Sequence, residues 1–412
     1  MNITLTLAWR NLWRHRRRTW LTVGAMVFCN TLLVFMISLQ FGAYRMMIEN
    51  PLKLFTGQLQ IQAKDYLDDP KLRHSFPQAT TLAKNIRATL ADVDSLAVAV
   101  RGSAFALASS EERSFGMQVT GVQPQWEPGV SSLANSVKQG RYLQDPNAEE
   151  IVIGRGLARN LKVSVGDELT LLGSGRDGSF AAGFAKIVGI FDSGMTDMDR
   201  AMAQMPLGYF QTLFAMQGQA HSIVISNDSL TQVPAIQARI DTIIADKPPL
   251  ISRDWDALMP GIKQSIISDL VGNLFTYLVL AVLVAFSVLN TQLMSVLERT
   301  KEFGILTALG VRPGQLGRLI MLETLLMALL GMALGMLFGG LLVAWLSQVG
   351  ISMPGMEEMA ERFAMADRIF PELNILTLAL GPSIVFIGCL FAAVYPSLRL
   401  LRLQPVAAMR AA

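Results

Sequence analysis

The residue types that carry out catalysis are present in this chain, but their spacing does not suit catalysis. The three histidines, His15, His74 and His221, lie far apart and lack the spacing of metal ligands. No Gly-x-Ser-x-Gly sequence occurs, so a serine nucleophile on a sharp turn is not predicted. The dipeptide Gly-Lys never occurs, which excludes the usual phosphate-binding loop for ATP. We therefore expect a non-catalytic protein with no metal and no cofactor of its own.

Two short patterns resemble ligand sites, and both are incomplete. Gly154 and Gly156 form a Gly-x-Gly pair, but no later glycine completes the dinucleotide-binding pattern, and the sequence does not predict a parallel βαβ unit after it. Asp192, Asp197 and Asp199 offer carboxylate oxygens, but their spacing is not that of a calcium loop. We expect no nucleotide at the first pattern and a solvated turn at the second.

The most informative segment is the charged and apolar stretch at 298–310. Its first residues are mostly charged, and Phe303, Leu306 and Leu309 then recur at helical spacing. Gly310 suits the left-handed end of a helix. This pattern predicts a short amphipathic helix whose mixed charge fits a protein groove better than anionic lipid. A solvated linker helix on the lipid headgroups is the alternative.

Four long uncharged stretches surround this segment. The chain is 51% hydrophobic and 16% charged, against about 25% charged in an average soluble domain. About 20 apolar residues cross a membrane, so we expect four transmembrane helices. The stretches run from Thr19 to Tyr44, Leu270 to Leu297, Thr324 to Met356 and Asn374 to Leu398. The first is too long for the apolar region of a signal peptide.

The segment at 45–268 has the composition of an ordinary soluble domain, and it contains neither of the two cysteines, Cys29 and Cys389. A disulfide framework is therefore excluded for it.

Basic residues flank the apolar stretches on one side, which predicts their orientation. They are Arg10, Arg14, Arg16, Arg17 and Arg18, then Arg299, Lys301, Arg312 and Arg318, and finally Arg399, Arg402 and Arg410. The loop between the third and fourth stretches is acidic instead, with Glu357, Glu358 and Glu361. We expect a multi-pass inner-membrane protein with both termini in the cytoplasm and the 45–268 insert outside.

Two features lie inside the third stretch or at its start. Gly331, Gly335 and Gly339 recur every four residues, which lets a second helix approach closely. That helix belongs either to the same subunit or to a second subunit in a dimer contact. Glu323 lies near the cytoplasmic start, where we expect a structural carboxylate that reaches water or Arg318. No further ionisable residue lies deep in a span, which disfavours a secondary transporter.

The segment at 298–310 resembles the signature of FtsX-like permeases. The matching residues are Val296, Glu298, Arg299, Glu302, Phe303, Gly304, Ile305, Leu306, Ala308 and Gly310, with Phe303 in place of the usual isoleucine. Tyr395–Val406 is similar to the terminal motif of the family, and Ala8–Leu12 to its entry helix. The resemblance extends over the whole chain.

This resemblance implies a coupling helix that docks on an ABC-type ATPase. The ATPase would be a separate chain, and it would bind the ATP and Mg. The implied coupling residues are Glu298, Arg299, Glu302, Phe303, Gly304, Leu306, Leu309 and Gly310. In this mechanotransmission (type VII) architecture, the first two spans carry movement to the exported domain. No substrate need cross the membrane.

For the exported domain we expect a mixed α+β fold. Strands are predicted near 58–62, 116–122, 150–153, 168–172, 186–191 and 221–226, and helices near 81–90, 155–160 and 231–245. Residues 150–167 resemble the periplasmic core domain shared by macrolide exporters (MacB-like) and lipoprotein-releasing permeases. Residues 189–207 resemble the lipoprotein-releasing branch.

The expected domain order follows from these assignments. It is a cytoplasmic helix (1–18), TM1 (19–44), a periplasmic core domain (45–268), TM2 (269–297), a coupling helix (298–314), TM3 (315–347), a periplasmic loop (348–373), TM4 (374–397) and a cytoplasmic tail (398–412).

The first expected function is lipoprotein release from the inner membrane. Met26, Phe28, Phe35 and Met36 could receive acyl chains, or they could simply face lipid. The alternatives are MacB-like efflux and FtsX-like signalling to cell-wall hydrolases, while a membrane-bound enzyme is disfavoured. The expected partners are the ATPase, a second permease copy or paralogue, a periplasmic carrier or lipoprotein, and membrane lipids, but no nucleic acid.

Overall fold

The computed structural model describes residues 3–14, 16–247, 249–352 and 368–401. These residues divide into a helical unit (3–45, 265–352 and 368–401) and a sheet unit (46–264). Several residues singled out from the sequence lie outside the described residues, namely His15, Pro354, Gly355, Met356, Glu357, Glu358, Glu361, Arg402, Pro405, Val406 and Arg410.

The α-helices of the described residues are numbered in chain order. They are α1 (Ile3–Arg14), α2 (Arg16–Pro51), α3 (Ala79–Thr89), α4 (Glu127–Val130), α5 (Arg155–Leu161), α6 (Thr196–Ala201), α7 (Leu207–Leu213), α8 (Val233–Ile244), α9 (Trp255–Leu258), α10 (Pro260–Glu298), α11 (Thr300–Ala308), α12 (Pro313–Val349) and α13 (Ile375–Leu401).

Within the described residues, four helices are long and apolar enough to cross a membrane: α2, α10, α12 and α13. Helix α2 has 36 residues and α10 has 39. At about 1.5 Å per residue each exceeds 50 Å, well beyond the roughly 30 Å of a bilayer core. Both helices therefore continue past the apolar stretch that the sequence indicated for them.

An apolar core joins these four helices. Met26 and Leu33 of α2 pack with Val284 of α10, Ala328 of α12 and Val385 of α13. The two α2 residues are seven apart and so lie on one face of the helix. The bundle is thus stabilised by the side chains of one chain.

The strands of the described residues belong to the sheet unit. They are β1 (Leu59–Ala63), β2 (Phe76–Pro77), β3 (Ala97–Ser109), β4 (Ser114–Val122), β5 (Val137–Gly140), β6 (Glu150–Gly154), β7 (Glu168–Ser174), β8 (Phe180–Phe191), β9 (Met202–Pro206), β10 (Gln219–Ala220), β11 (Ser222–Ser226) and β12 (Leu250–Asp254).

Ten of these strands form one sheet, in the order β12-β1-β11-β3-β4-β9-β6-β8-β5, with β7 between β3 and β8. The pairings β4–β9 and β6–β8 are parallel and the others are antiparallel. Because β7 bridges β3 and β8, the pairing runs in a closed circuit through β4, β9, β6 and β8. Alternate residues such as Val119, Ile153 and Leu171 face the buried core.

The predicted strands and helices of the insert are present. They correspond to β1, β4, β6, β7, β8 and β11 and to α3, α5 and α8. Strand β3, the longest at 13 residues, was not predicted because alanine and serine fill much of it.

Candidate functional site

The candidate site is the short helix α11 and the polar cluster that holds it within the helical unit. Helix α10 ends at Glu298, and Arg299 forms the turn before α11 begins at Thr300. At the other end Gly310 has φ of +97°, as the sequence predicted. The N–H of Gly310 donates to the carbonyl of Thr307, and that of Val311 to Leu306, which together form a Schellman cap.

A buried ion pair joins the α10–α11 turn to α12. Nη1 of Arg299 lies 3.1 Å from Oε1 of Glu323, and both side chains are largely buried. Oε1 of Glu323 also accepts a hydrogen bond from the side-chain amide of Asn11, on α1, at 2.8 Å. The sequence predicted that Glu323 reaches water or Arg318, whereas its partners in the structure are Arg299 and Asn11. The carboxylate instead ties α1 and the turn to α12.

A second, more exposed layer of ion pairs surrounds this one. Arg18 of α2 lies 2.7 Å from Glu298 and also donates to the hydroxyl of Ser295 at 2.9 Å. Arg14 of α1 lies 3.1 Å from Glu302. Sequence reasoning used these arginines only to orient the chain. Five arginines within residues 10–18 and two glutamates within residues 298–302 were the signal that such pairs form.

The apolar stripe of α11 is divided between two environments. Phe303 is fully buried with Val296, Leu316 and Ile320. Leu306 and Leu309 are exposed, at 37% and 77%. Each three-residue step turns a side chain by about 60°, so Leu309 lies about 120° from Phe303. The predicted single stripe was therefore wrong.

The large apolar side chains that α11 and its C-cap residue expose to solvent are Ile305, Leu306 and Leu309. Phe303 and Gly304 lie on the opposite, buried side of the helix. Of the eight residues assigned to coupling, the structure thus places Leu306 and Leu309 on the open surface and Glu298, Arg299 and Glu302 in the ion-pair cluster.

The glycine row of α12 packs against α2 of the same chain. A β-carbon at Gly331, Gly335 or Gly339 would lie 2.7, 2.3 or 2.8 Å from the β-carbon of Met26, Asn30 or Val34. The side-chain amide of Asn30 also donates to the carbonyl of Gly331 at 3.2 Å. The row therefore packs against a helix of the same subunit.

In the sheet unit, the Gly-x-Gly pair has a packing role. A β-carbon at Gly154 would lie 2.3 Å from the carbonyl oxygen of Asp199, and one at Gly156 would lie 2.8 Å from Cγ of Arg200. The two glycines therefore let α6 approach the start of α5. A bound nucleotide is not needed to explain them.

The three aspartates have different surroundings, and the predicted solvated turn was wrong for Asp199, which is buried in α6. Asp192 forms an ion pair with Arg155 at 2.7 Å, Asp197 is exposed, and Asp199 is buried and accepts from the hydroxyl of Ser193 at 2.7 Å. Burial, together with the nearby charge of Asp192, raises the pKa of Asp199 to about 6. Within the described residues, no three His, Cys, Asp or Glu side chains gather as metal ligands.

His221 is a buried structural histidine. Its Nδ1 accepts a hydrogen bond from the N–H of Ser103 at 2.9 Å, and its ring stacks on Tyr66 at 4.9 Å. Burial lowers the pKa of His221 to about 4, so the ring is neutral at pH 7. The arrangement gives it no role in acid–base chemistry.

Comparison with known proteins agrees with this architecture. Residues 19–243 match the MacB-like periplasmic core domain, and residues 274–405 match the FtsX-like permease C-terminal family. The lipoprotein-releasing system transmembrane protein LolC of Xylella fastidiosa is 25% identical over 73% of this chain and 74% of its own length.

Two further similarities are more distant. An uncharacterized ABC transporter permease of Methanocaldococcus jannaschii is 23% identical over 82% of this chain and 83% of its own length. The periplasmic region of MacB from Actinobacillus actinomycetemcomitans is 17% identical, with a TM-score of 0.36, over 53% of this chain and 97% of that structure. Because the core-domain match covers more than half of the sequence, the chain belongs to the family of ABC transporter permeases that combine a MacB-like periplasmic core domain with an FtsX-like C-terminal domain.

Proposed function

We propose that this chain is the permease subunit of a lipoprotein-releasing ABC transporter. A separate ABC ATPase, which binds the ATP and Mg, docks on α11 from the cytoplasm. Both chain termini lie on that side, and the sheet unit lies on the other. ATP-driven movement of α11 passes along α2 and α10 to the sheet unit. A second copy or a paralogue completes the transporter.

One observation carries this proposal: α11 exposes an apolar surface on one side, and its other side is fixed to the helical unit. Ile305, Leu306 and Leu309 are open to solvent, while Phe303 and the Arg299–Glu323 pair fix the helix to the bundle. An apolar surface rimmed by charged residues suits a protein partner. A helix held this way moves together with α12 when the partner pushes on it.

The choice of lipoprotein release rests on the LolC similarity. A receiver of lipidated protein needs apolar surface within the membrane, and Phe28 of α2 and Phe275 of α10 are both exposed. Efflux and signalling use the same coupling step and differ in what binds the sheet unit. Identifying what co-purifies with the detergent-solubilised complex separates these functions.

ATPase docking is tested by two matched substitutions, Leu309→Asp and Phe180→Asp. Both side chains are exposed to the same degree, 77% and 76%, but Phe180 lies in the sheet unit. We expect Leu309→Asp to lose the co-purifying ATPase and Phe180→Asp to retain it. Full-strength ATPase binding by Leu309→Asp would show that α11 is not the docking surface.

Charge reversal at Glu302 tests whether the ion pairs that hold α11 are needed for transport. Glu302→Lys places a third positive charge beside Arg14 and Arg299, which lie 3.1 and 3.3 Å from the present carboxylate. Release of lipoprotein from membrane vesicles should fall at least tenfold while insertion is unchanged. Leu306→Asp should give the same loss.

Topology is tested by labelling single cysteines in intact cells. Ile305→Cys should resist a membrane-impermeant maleimide, and Phe180→Cys should react, since both positions are exposed. The native Cys29 and Cys389 are buried and give a low background. Equal labelling of both positions would exclude a coupling helix in the cytoplasm.

A further inference from the structure

Helix α2 continues into the sheet unit through a turn of π-helix, Leu52–Thr56, in which Leu52 and Leu54 are buried. Leu54 packs in an apolar cluster with Val122 and Phe191 of the sheet. Gly57 ends the turn at φ of +72°, and its N–H donates to the carbonyl of Leu52 at 2.9 Å. The turn is thus part of the sheet unit's core and differs in this from an exposed linker.

The carbonyl groups at the end of this turn require donors, because the helix that would supply them has stopped. The hydroxyl of Ser131 donates to the carbonyl of Leu54 at 2.7 Å. Nη1 of Arg101, on β3, donates to the carbonyl of Phe55. The Arg101 guanidinium also lies over the Phe55 ring, 4.3 Å from its centre.

The rest of the Arg101 guanidinium is held by α4. Nε and Nη2 donate to the two carboxylate oxygens of Glu127 at 3.1 and 2.6 Å, and both side chains are buried. One planar side chain therefore joins three segments: β3, the start of α4 and the end of the α2 turn. A lysine could not make all of these contacts, because it lacks the guanidinium fork.

Stability alone does not explain this arrangement. Replacing a buried ion pair by apolar residues of similar volume is often neutral or stabilising. What Arg101 adds is a donor in a fixed direction at the end of a membrane helix. We propose that Arg101 is a positioning residue that locks the end of α2 to β3, so that movement of α2 passes to the sheet unit.

The strands around Arg101 suit this role. Strand β1 begins two residues after Gly57 and pairs with β11 on one side and β12 on the other. Strand β11 in turn pairs with β3, where Ser222 lies opposite Arg101. Strand β12 leads through α9 into α10. Helices α2 and α10 thus connect to neighbouring strands, β1 and β12, of the sheet that contains Arg101.

The inference rests on the proposed function, and its test uses the full-length permease with its ATPase. In Arg101→Lys the charge opposite Glu127 is kept and the fork is lost. We expect the amides of Gly57 and Gln58 to exchange hydrogen at least tenfold faster. ATP hydrolysis should continue, but the ATP-dependent change in exchange at β1 and β12 should be lost.

Arg87→Lys is the matched control. Arg87 of α3 also donates to a backbone carbonyl, that of Val98 at 3.1 Å, and lies over the ring of Trp126 at 3.9 Å. Its hydrogen bonds go to groups outside the α2 turn. The control should keep the ATP-dependent change.

A second variant covers the case in which Arg101→Lys unfolds the sheet unit, detected as fast exchange in β4 and β9. Arg101→Met with Glu127→Met removes the pair and keeps the volume, and it should give the same uncoupling. The inference is overturned when either folded variant retains the wild-type ATP response, or when its Gly57 amide stays protected. A wild-type protein without any ATP-dependent change at β1 and β12 would refute the proposed function itself.

Discussion

Nη1 of Arg299 lies 3.1 Å from Oε1 of Glu323, and this buried pair connects the end of α10 to α12 at the point where α11 begins. Arg299 is also 3.3 Å from Glu302, so two carboxylates share its charge. The guanidinium stacks near Phe303, 4.9 Å from the ring centre. The orientation of α11 therefore depends on one arginine and the carboxylate of another helix.

Glu323→Gln should destabilise the helical unit. The substitution leaves the charge of Arg299 in a largely buried place, where Glu302 is its remaining carboxylate partner among the described residues. Breaking a buried pair costs about 3–5 kcal/mol. We expect a lower melting temperature of the full-length protein in detergent and faster hydrogen exchange throughout α11.

The control for Glu323→Gln is Glu298→Gln, which breaks the half-exposed pair with Arg18. Pairs of that kind contribute under about 1 kcal/mol, so its melting temperature should barely change. Equal melting temperatures for the two variants would mean that the Glu323 pair does not hold α11.

Local signals in the sequence predicted where helices begin and end better than they predicted which side chains pair with each other. Gly310 marked the left-handed end of α11, and uncharged stretches marked the four long helices. The pairing of Asn11 with Glu323 joins residues 312 positions apart, and a single sequence specifies charge without specifying the partner. Arg101 and Glu127 were missed for the same reason, since each resembles an ordinary surface charge.

The division of the α11 face shows a second limit. Phe303, Leu306 and Leu309 have helical spacing, yet one is buried and two are exposed. Periodicity predicts that an apolar face exists, and the neighbouring helices decide which part of it is covered. The covering residues, Leu316, Ile320 and Leu400, lie on α12 and α13, which no local pattern links to α11.

Gly335→Ala should weaken the contact between α12 and α2. The added carbon would lie 2.3 Å from the β-carbon of Asn30, so the helices must separate. Overpacking of this kind costs about 1–3 kcal/mol, measured as a lower melting temperature of the full-length protein.

Gly272→Ala, in α10, is the control for Gly335→Ala because none of the described residues outside its own helical turn lies within 4 Å of its added carbon. It should be neutral or stabilising by about 0.5–1 kcal/mol. If Gly335→Ala altered association between copies while leaving the melting temperature unchanged, the packing within one subunit would be refuted.

Gly310→Ala should fray the end of α11 without a steric clash. In the part of the chain that the structure describes, no neighbouring atom lies within 4 Å of the added carbon, so the cost arises from the φ of +97° and amounts to about 1–2 kcal/mol. The amides of Gly310 and Val311, which form the cap, should exchange faster, and ATPase affinity should fall modestly. Gly314→Ala adds a carbon in equally open space without a positive φ, so exchange in that variant should match wild type.

The pH dependence of the α6 region should follow Asp199. The pKa of Asp199 is about 6 in the folded protein, above its ordinary value of 3.8, because the carboxyl is buried beside Asp192. A raised folded-state pKa means that the folded protein binds the proton more tightly. The contribution of Asp199 to stability is complete below about pH 4 and is lost as the pH rises through 6. His221 has the opposite sign: its pKa is lowered to about 4, so its contribution is lost as the pH falls below 6.5.

Asp199→Asn tests this assignment. An asparagine oxygen still accepts from the N–H and hydroxyl of Ser193, which lie 3.0 and 2.7 Å from the present carboxylate, but it does not titrate. The ion pair between Arg155 and Asp192 is present in the wild type and is retained in the variant, so it does not account for a difference between them. The measurement is hydrogen exchange of the α6 amides, corrected for the intrinsic effect of pH. The free energy of local opening should fall between pH 5 and 7.5 in the wild type and stay constant in the variant. The same slope in both proteins would mean that another group sets the pH dependence, since Asp199 is the only residue changed.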